Sequence, residues 1–157
     1  MNGVFEWGAL VALMGLMLWT VVSDLRERRI PNWLNIAVAM LAVVYWMARD
    51  VPFWPTMGRQ LLIAGGVALV FGCLWLRGML GGGDLKLHVA LALWLPLLPL
   101  VEMLVWMGLA GFVLSLIVAA DHYGRKRDGS PRVPYGVAIS FGAVMVLGEP
   151  IINRIAA

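Results

Sequence analysis

The chain has 157 residues, of which 62% are hydrophobic and only 13% charged, with a mean hydropathy of +0.87; an ordinary soluble domain, with about 25% charged residues, is excluded. The net charge of +3 does not mark a nucleic-acid binder, because the basic residues stand at the ends of apolar stretches, as in a protein whose partner is the lipid bilayer. The single cysteine, Cys73, excludes an intramolecular disulfide and a multi-cysteine metal site; within an apolar stretch it is expected to be a small buried filler.

A bilayer-crossing helix takes roughly 20 mostly apolar residues, about 17 at the lower end. Trp7 to Ser23 is the first such stretch. The segment before it holds Glu6 and no Lys or Arg, unlike the basic start of a cleavable signal, so this helix is expected to stay. A polar run from Asp24 to Asn32 follows, where Pro31 fixes φ and Asn32 can bond its own backbone to set a turn. Trp33 to Ala48 is the second span, broken off by Asp50, Pro52 and Pro55, and Gln60 to Leu76 is the third.

Gly81-Gly82-Gly83-Asp84 then opens a shorter fourth stretch, Leu87 to Leu100, which carries His88, Pro96 and Pro99. Met103 to Ala120 is a charge-free fifth span, Asp121 to Pro134 a hydrophilic loop, and Tyr135 to Ile152 a sixth span interrupted by Glu149 and Pro150. The expectation is an all-α, polytopic membrane helix bundle of about six transmembrane helices, one domain over residues 1–157, with Gly65, Gly66, Gly72, Gly108 and Gly111 supplying close helix contacts.

With the N-terminus outside, the first, third and fifth connections face the cytoplasm and hold Arg26, Arg28, Arg29, Arg77, Lys86, Arg125, Lys126, Arg127 and Arg132, against Arg49, Arg59 and Arg154 on the other side. This nine-to-three split follows the positive-inside tendency. Asp24 closes the first span and Asp84 opens the fourth, so both lie on the cytoplasmic face. Two carboxylates in hydrogen-bonding range share a proton; the ionised member can activate water while the protonated one polarises a peptide carbonyl. Each also has a plainer reading, Asp24 as an interfacial residue beside Arg26 and Arg28, Asp84 as a helix cap. The glycines permit positive φ and close approach, or make only a flexible turn.

Ser23-Asp24-Leu25-Arg26-Glu27-Arg28-Arg29-Ile30-Pro31-Asn32 resembles the first catalytic segment of the type IV prepilin peptidases, an aspartate followed by an Arg and an Ile-Pro-Asn turn. Gly81-Gly82-Gly83-Asp84-Leu85-Lys86-Leu87 resembles their Gly-x-Gly-Asp signature, and Arg132-Val133-Pro134-Tyr135-Gly136 the Pro-aromatic-Gly opening of their last helix. The segments fall in family order. The resemblance implies that Asp24 and Asp84 are a catalytic dyad supported by Gly81, Gly83, Pro31 and Asn32. It implies a prepilin or pseudopilin substrate, cut between a basic leader and an apolar helix at the inner membrane, with no metal or organic cofactor. Larger members also methylate the new N-terminus and carry a cysteine-rich insertion. Here the connection Asp24 to Asn32 is short and Cys73 stands alone, which resembles the short, cleavage-only branch associated with tight-adherence pili.

The cytoplasmic segments set nine basic residues against Asp24, Glu27, Asp84, Asp121 and Asp128, a balance that would not attract a basic leader, so Glu27 is the expected local contact. Lys86 can tune Asp84 but is expected to be a snorkelling anchor. His88 and His122 lack any paired-ligand or nucleophile pattern and are expected to be hydrogen-bonded helix residues; Glu102 and Glu149 are expected at outer span ends, and the tryptophans in lipid-facing belts. Two rival classes stand beside the peptidase. A small proton- or cation-coupled transporter predicts flux without proteolysis, and a non-catalytic pilus or secretion assembly component tolerates loss of both aspartates. Oligomeric state is open.

Overall fold

The computed structural model describes residues 2–125 and 133–155. They form six α-helices, α1 (Asn2–Glu27), α2 (Asn32–Ala48), α3 (Gly58–Leu76), α4 (Gly82–Ala92), α5 (Leu97–Gly124) and α6 (Tyr135–Ile155), with a kinked turn at Phe53–Met57, extended at Trp54, between α2 and α3. No strand occurs among the described residues.

In α1 the residues Leu10, Leu13, Met17 and Thr20 recur at alternating steps of three and four and are buried, the spacing of one helix face. The opposite face is also apolar, with Val11, Leu18, Val22 and Leu25 exposed. A helix apolar on every side is suited to lipid. Three helical segments are long and apolar enough to cross a membrane: Gly3–Glu27, Phe53–Leu76 and Leu97–Gly124. Asn32–Ala48 and Tyr135–Gly148 are shorter apolar helices. With 11 residues, α4 rises only ~16 Å, about half of the ~30 Å hydrocarbon core.

The expected fourth span, Leu87 to Leu100, is therefore not one helix. It holds the second half of α4, a turn at 93–96, and the start of α5. Pro96 is the N-cap of α5 and Pro99 lies in its first turn, where a missing N–H costs nothing. The end of α4 is buried, and partners from other helices meet its carbonyls: Gln60 Nε2 of α3 donates to Ala92 O at 2.8 Å and also to Leu95 O. Trp94 Nε1 donates to Val38 O of α2 at 3.0 Å.

Other expectations shift in the same way. The helix α5 runs on to Gly124, so the hydrophilic segment from Asp121 begins as helix, with Arg125 Nε 2.6 Å from Asp121 Oδ1; Lys126, Arg127, Asp128 and Arg132 lie outside the described residues. The backbone of α6 continues through Glu149 and Pro150, because a single proline removes one hydrogen bond without ending a helix that neighbours support. Cys73 is exposed rather than buried. Trp46 and Trp94 are core residues rather than belt residues. At Gly65, Gly66, Gly72 and Gly108 a Cβ would meet nothing within 4 Å, so only Gly111 of the expected set serves a helix contact. The tightest approach between two helices is at Gly142, where a Cβ would stand 2.5 Å from Met103 O.

The helix α1 packs against α2 and α6, α6 against α5, and α4 against α2, α3 and α6. Through α2 and α6, the C-terminal end of α1 and the N-terminal end of α4 come together.

Candidate active site

Asp24 occupies the last turn of α1 and extends the buried stripe Leu10, Leu13, Met17, Thr20 by one further step of four. The helix period thus turns its carboxyl inward, where it is 6% exposed. Asp84 is the third residue of α4, three and seven residues ahead of the fully buried Leu87 and Leu91, so it shares their inward face. Gly81 is the N-cap of α4, and the Asp84 carboxylate accepts its backbone N–H, the contact that closes a helix start from its third residue.

Both carboxyl groups line a single cavity of about 850 Å³, together with Glu27, Arg28, Ile30, Pro31, Asn32, the three glycines, Val133 and Tyr135. The two aspartates that the sequence places on one face are thereby brought into one site. Close approach, not unusual backbone, explains Gly81 and Gly83. A Cβ on Gly81 would lie 2.7 Å from Asp84 Oδ2, and one on Gly83 would lie 3.1 Å from Ile30 Cβ and 3.2 Å from Ile30 O. None of the three has positive φ, since Gly78 is the one glycine with that conformation among the described residues.

The first turn of α6 closes the site from a third direction. Backbone N–H groups of Gly136 and Val137 hydrogen-bond the Asp24 carboxyl, as a helix N-terminus does for an anion, and a Cβ on Gly136 would stand 2.9 Å from Asp24 Oδ2. Oδ2 itself is buried without a hydrogen-bond partner, which leaves an acceptor for a ligand. Sequence reasoning gave Gly136 no role. The signal was its place after Pro134 and Tyr135 at the mouth of an apolar helix, though which carboxylate it would touch was not legible there.

The remaining expected residues fall around this core. Pro31 is the N-cap of α2, and Ser23 Oγ donates to Arg29 O at 2.8 Å to fold the connection before it. Asn32 does not bond its own backbone; its Oδ1 accepts from Lys86 Nζ at 2.8 Å. That bond ties the start of α2 to the N-terminal part of α4, which carries Asp84, so Lys86 links two helices rather than standing as a lone anchor. Glu27 is exposed on the cavity rim. His88 is a hydrogen-bonded helix residue: its Nδ1 is 2.7 Å from Asp84 O, its Nε2 3.0 Å from Met107 Sδ, and its ring stacks on Phe71. Glu102 lines a separate cavity with Arg49. Arg49 in turn pairs with Glu6 at 3.4 Å, at the end of α1 away from Asp24. The Glu149 side chain lies outside the described residues.

Asp84 stands outside the three long membrane-crossing segments. Burial in the first place, and the neighbouring Asp24 carboxylate in the second, push its carboxyl up to about 6, with the Gly81 N–H opposing. Two carboxyl groups in such a cavity hold a proton between them more cheaply than they hold two negative charges. A pair that shares one proton can supply both the base and the acid that attack by water on an amide requires.

The family model described as "Type IV leader peptidase family" matches residues 11–118. No curated protein and no solved structure matches the chain.

Proposed function

The chain belongs to the type IV leader peptidase family, and from that premise we propose that it is a membrane aspartic endopeptidase that removes the basic leader of prepilins or pseudopilins, with Asp24 and Asp84 as its catalytic pair. The observation that carries this reading is the shared cavity of the two carboxyl groups.

Asp84, whose carboxyl is pushed up to about 6, keeps the proton and donates it toward the oxygen of the scissile carbonyl. Asp24, ionised, takes a proton from the water whose oxygen attacks the carbonyl carbon. The resulting tetrahedral diol collapses as the C–N bond breaks: the proton on Asp24 passes to the departing amine, and a diol hydroxyl returns its proton to Asp84 as the carbonyl re-forms, which restores the starting distribution. No covalent enzyme intermediate forms. The Gly81, Gly83 and Gly136 approaches position the carboxyl groups, and the bond of Lys86 to Asn32 holds α4 against the start of α2. Glu27, on the cavity rim, meets the basic leader. The cavity faces the cytoplasm, as the distribution of basic residues supports, and residues 1–157 act as a single peptidase domain of the short, cleavage-only type.

The test is incubation of the purified protein in detergent with a candidate prepilin and mass measurement of the products. Two fragments parted at the junction of leader and apolar helix, with no methyl group added, are expected. Asp24→Asn and Asp84→Asn should each abolish the cut while still inserting into membranes. Full cleavage by either variant removes the mechanism. Glu27→Gln should weaken selection among leaders of different charge, and an unchanged ranking removes that contact alone.

A further inference from the structure

Both α2 and α3 pack against α4 yet make little contact with each other. The short α4 holds them apart, and a groove of about 580 Å³ remains between the three. Its floor is one row, Leu85 and Val89 of α4 with Leu93 at its C-cap, all only partly buried; Ile36 and Ala39 of α2 and Ala68 of α3 form its walls. Rows of every fourth residue are the ridges on which a second helix seats, and this one is ~12 Å long, about two helical turns. The groove shares Asn32 with the catalytic cavity, so a chain lying in it emerges beside the aspartates.

Asn35 adds an independent observation. It lines the groove and is 5% exposed; its Nδ2 donates to Gly83 O at 3.4 Å, while its Oδ1 has no partner. A buried amide oxygen left unpaired is costly. The first four N–H groups of any helix find no partner within that helix. Next to the dyad, then, an unmet acceptor lies just beneath the groove's lining, and beyond it runs an apolar floor. An acyl chain would fit the floor but bring no donor to Asn35.

We infer that this groove receives the first two turns of the substrate's apolar helix, immediately beyond the scissile bond, with Asn35 Oδ1 accepting a backbone N–H from its first turn. The inference rests on the leader-peptidase reading and adds to it where the retained part of the substrate is held. Ala39 and Ala68 leave the width that a helix requires, and the depth of the row sets the point at which the extended leader begins.

The probe is a polypeptide with a basic leader joined to an apolar helix of about 20 residues. With photoreactive benzoylphenylalanine at Val89 in the Asp84→Asn enzyme, irradiation attaches the probe through the first two turns of its apolar segment. The same group at Phe112, exposed on α5, does not attach it. In the enzyme with its dyad intact, Ala68→Trp narrows the groove and lowers kcat/KM about tenfold, mainly through KM, with the cut position unchanged; Asn35→Ala lowers it about tenfold as well. If the parent enzyme cuts the probe but Val89 photoproducts contain only lipid or detergent, the groove is not the binding surface, whatever the fate of the Trp variant. Unchanged kcat/KM in a folded Ala68→Trp enzyme overturns it equally. A parent enzyme that does not cut the probe overturns the leader-peptidase function, and the groove falls with it.

Discussion

Asp84 and Asp24 are chemically identical side chains to which the proposed mechanism gives different parts. Asp84 is raised to about 6 by burial and by Asp24, so it holds its proton below that pH and loses it above. The sign follows directly: kcat/KM should fall as pH rises through about 6, because the doubly ionised pair has no proton to give. Replacing Asp24 by Asn removes the second cause, and the Asp84 titration, followed by isotope-edited infrared spectroscopy of its carboxyl band, should move to lower pH. An unmoved midpoint would mean that the two groups do not sense each other. Linkage gives a stability counterpart. A carboxyl whose folded value exceeds its unfolded one costs stability once ionised, so the cost enters between 3.8 and about 6 and persists above. Asp84→Asn should therefore melt higher than the parent at pH 8 while cleaving nothing. Gly136→Ala would put a Cβ 2.9 Å from Asp24 Oδ2. A displaced carboxylate of that kind is expected to reduce cleavage about a hundredfold with membrane insertion intact, as measured on the same prepilin.

Among the elements, α4 is the one that makes the site possible. Too short to cross a bilayer by itself, it ends where Gln60 of α3 satisfies its last carbonyls, and it begins on glycines that let its first turn approach Ile30. Contact between α5 and α6 rests on Gly142, where an added Cβ would meet backbone atoms, Met103 O at 2.5 Å and Met107 N at 3.0 Å, that cannot rotate away. Gly142→Ala should cost about 1–3 kcal/mol of stability. By contrast Gly108→Ala, with nothing within 4 Å, should be neutral or stabilising by up to about 1 kcal/mol. Denaturation of the two variants in one detergent compares them directly. The distinction was invisible in the chain, where both are glycines in apolar helices. The inward stripe of α1 was not legible, since Val11, Leu18, Val22 and Leu25 make the opposite face equally apolar, and only packing against α2 and α6 shows that the face carrying Asp24 turns inward.

Across the whole molecule, the site lies at one end of the bundle and the Glu6–Arg49 pair at the other end of α1. With the N-terminus outside, a cysteine at Glu27 should resist a membrane-impermeant maleimide in intact cells, whereas one at the exposed Phe53 should react, both in a Cys73→Ala background. The opposite pattern reverses the orientation. Composition alone determined the solvent, because 13% charge cannot clothe a soluble surface, and the apolar stretches determined most of the helical elements, because helix formation is a local property of the backbone. Only the tertiary structure decided that α4 stops at Ala92, that Lys86 holds Asn32, that Gly136 rather than a polar side chain lies against Asp24, and that a groove opens between α2 and α3. Each of these depends on which helices become neighbours, and in a chain apolar on nearly every face the pattern of hydrophobic residues no longer says which face meets protein and which meets lipid.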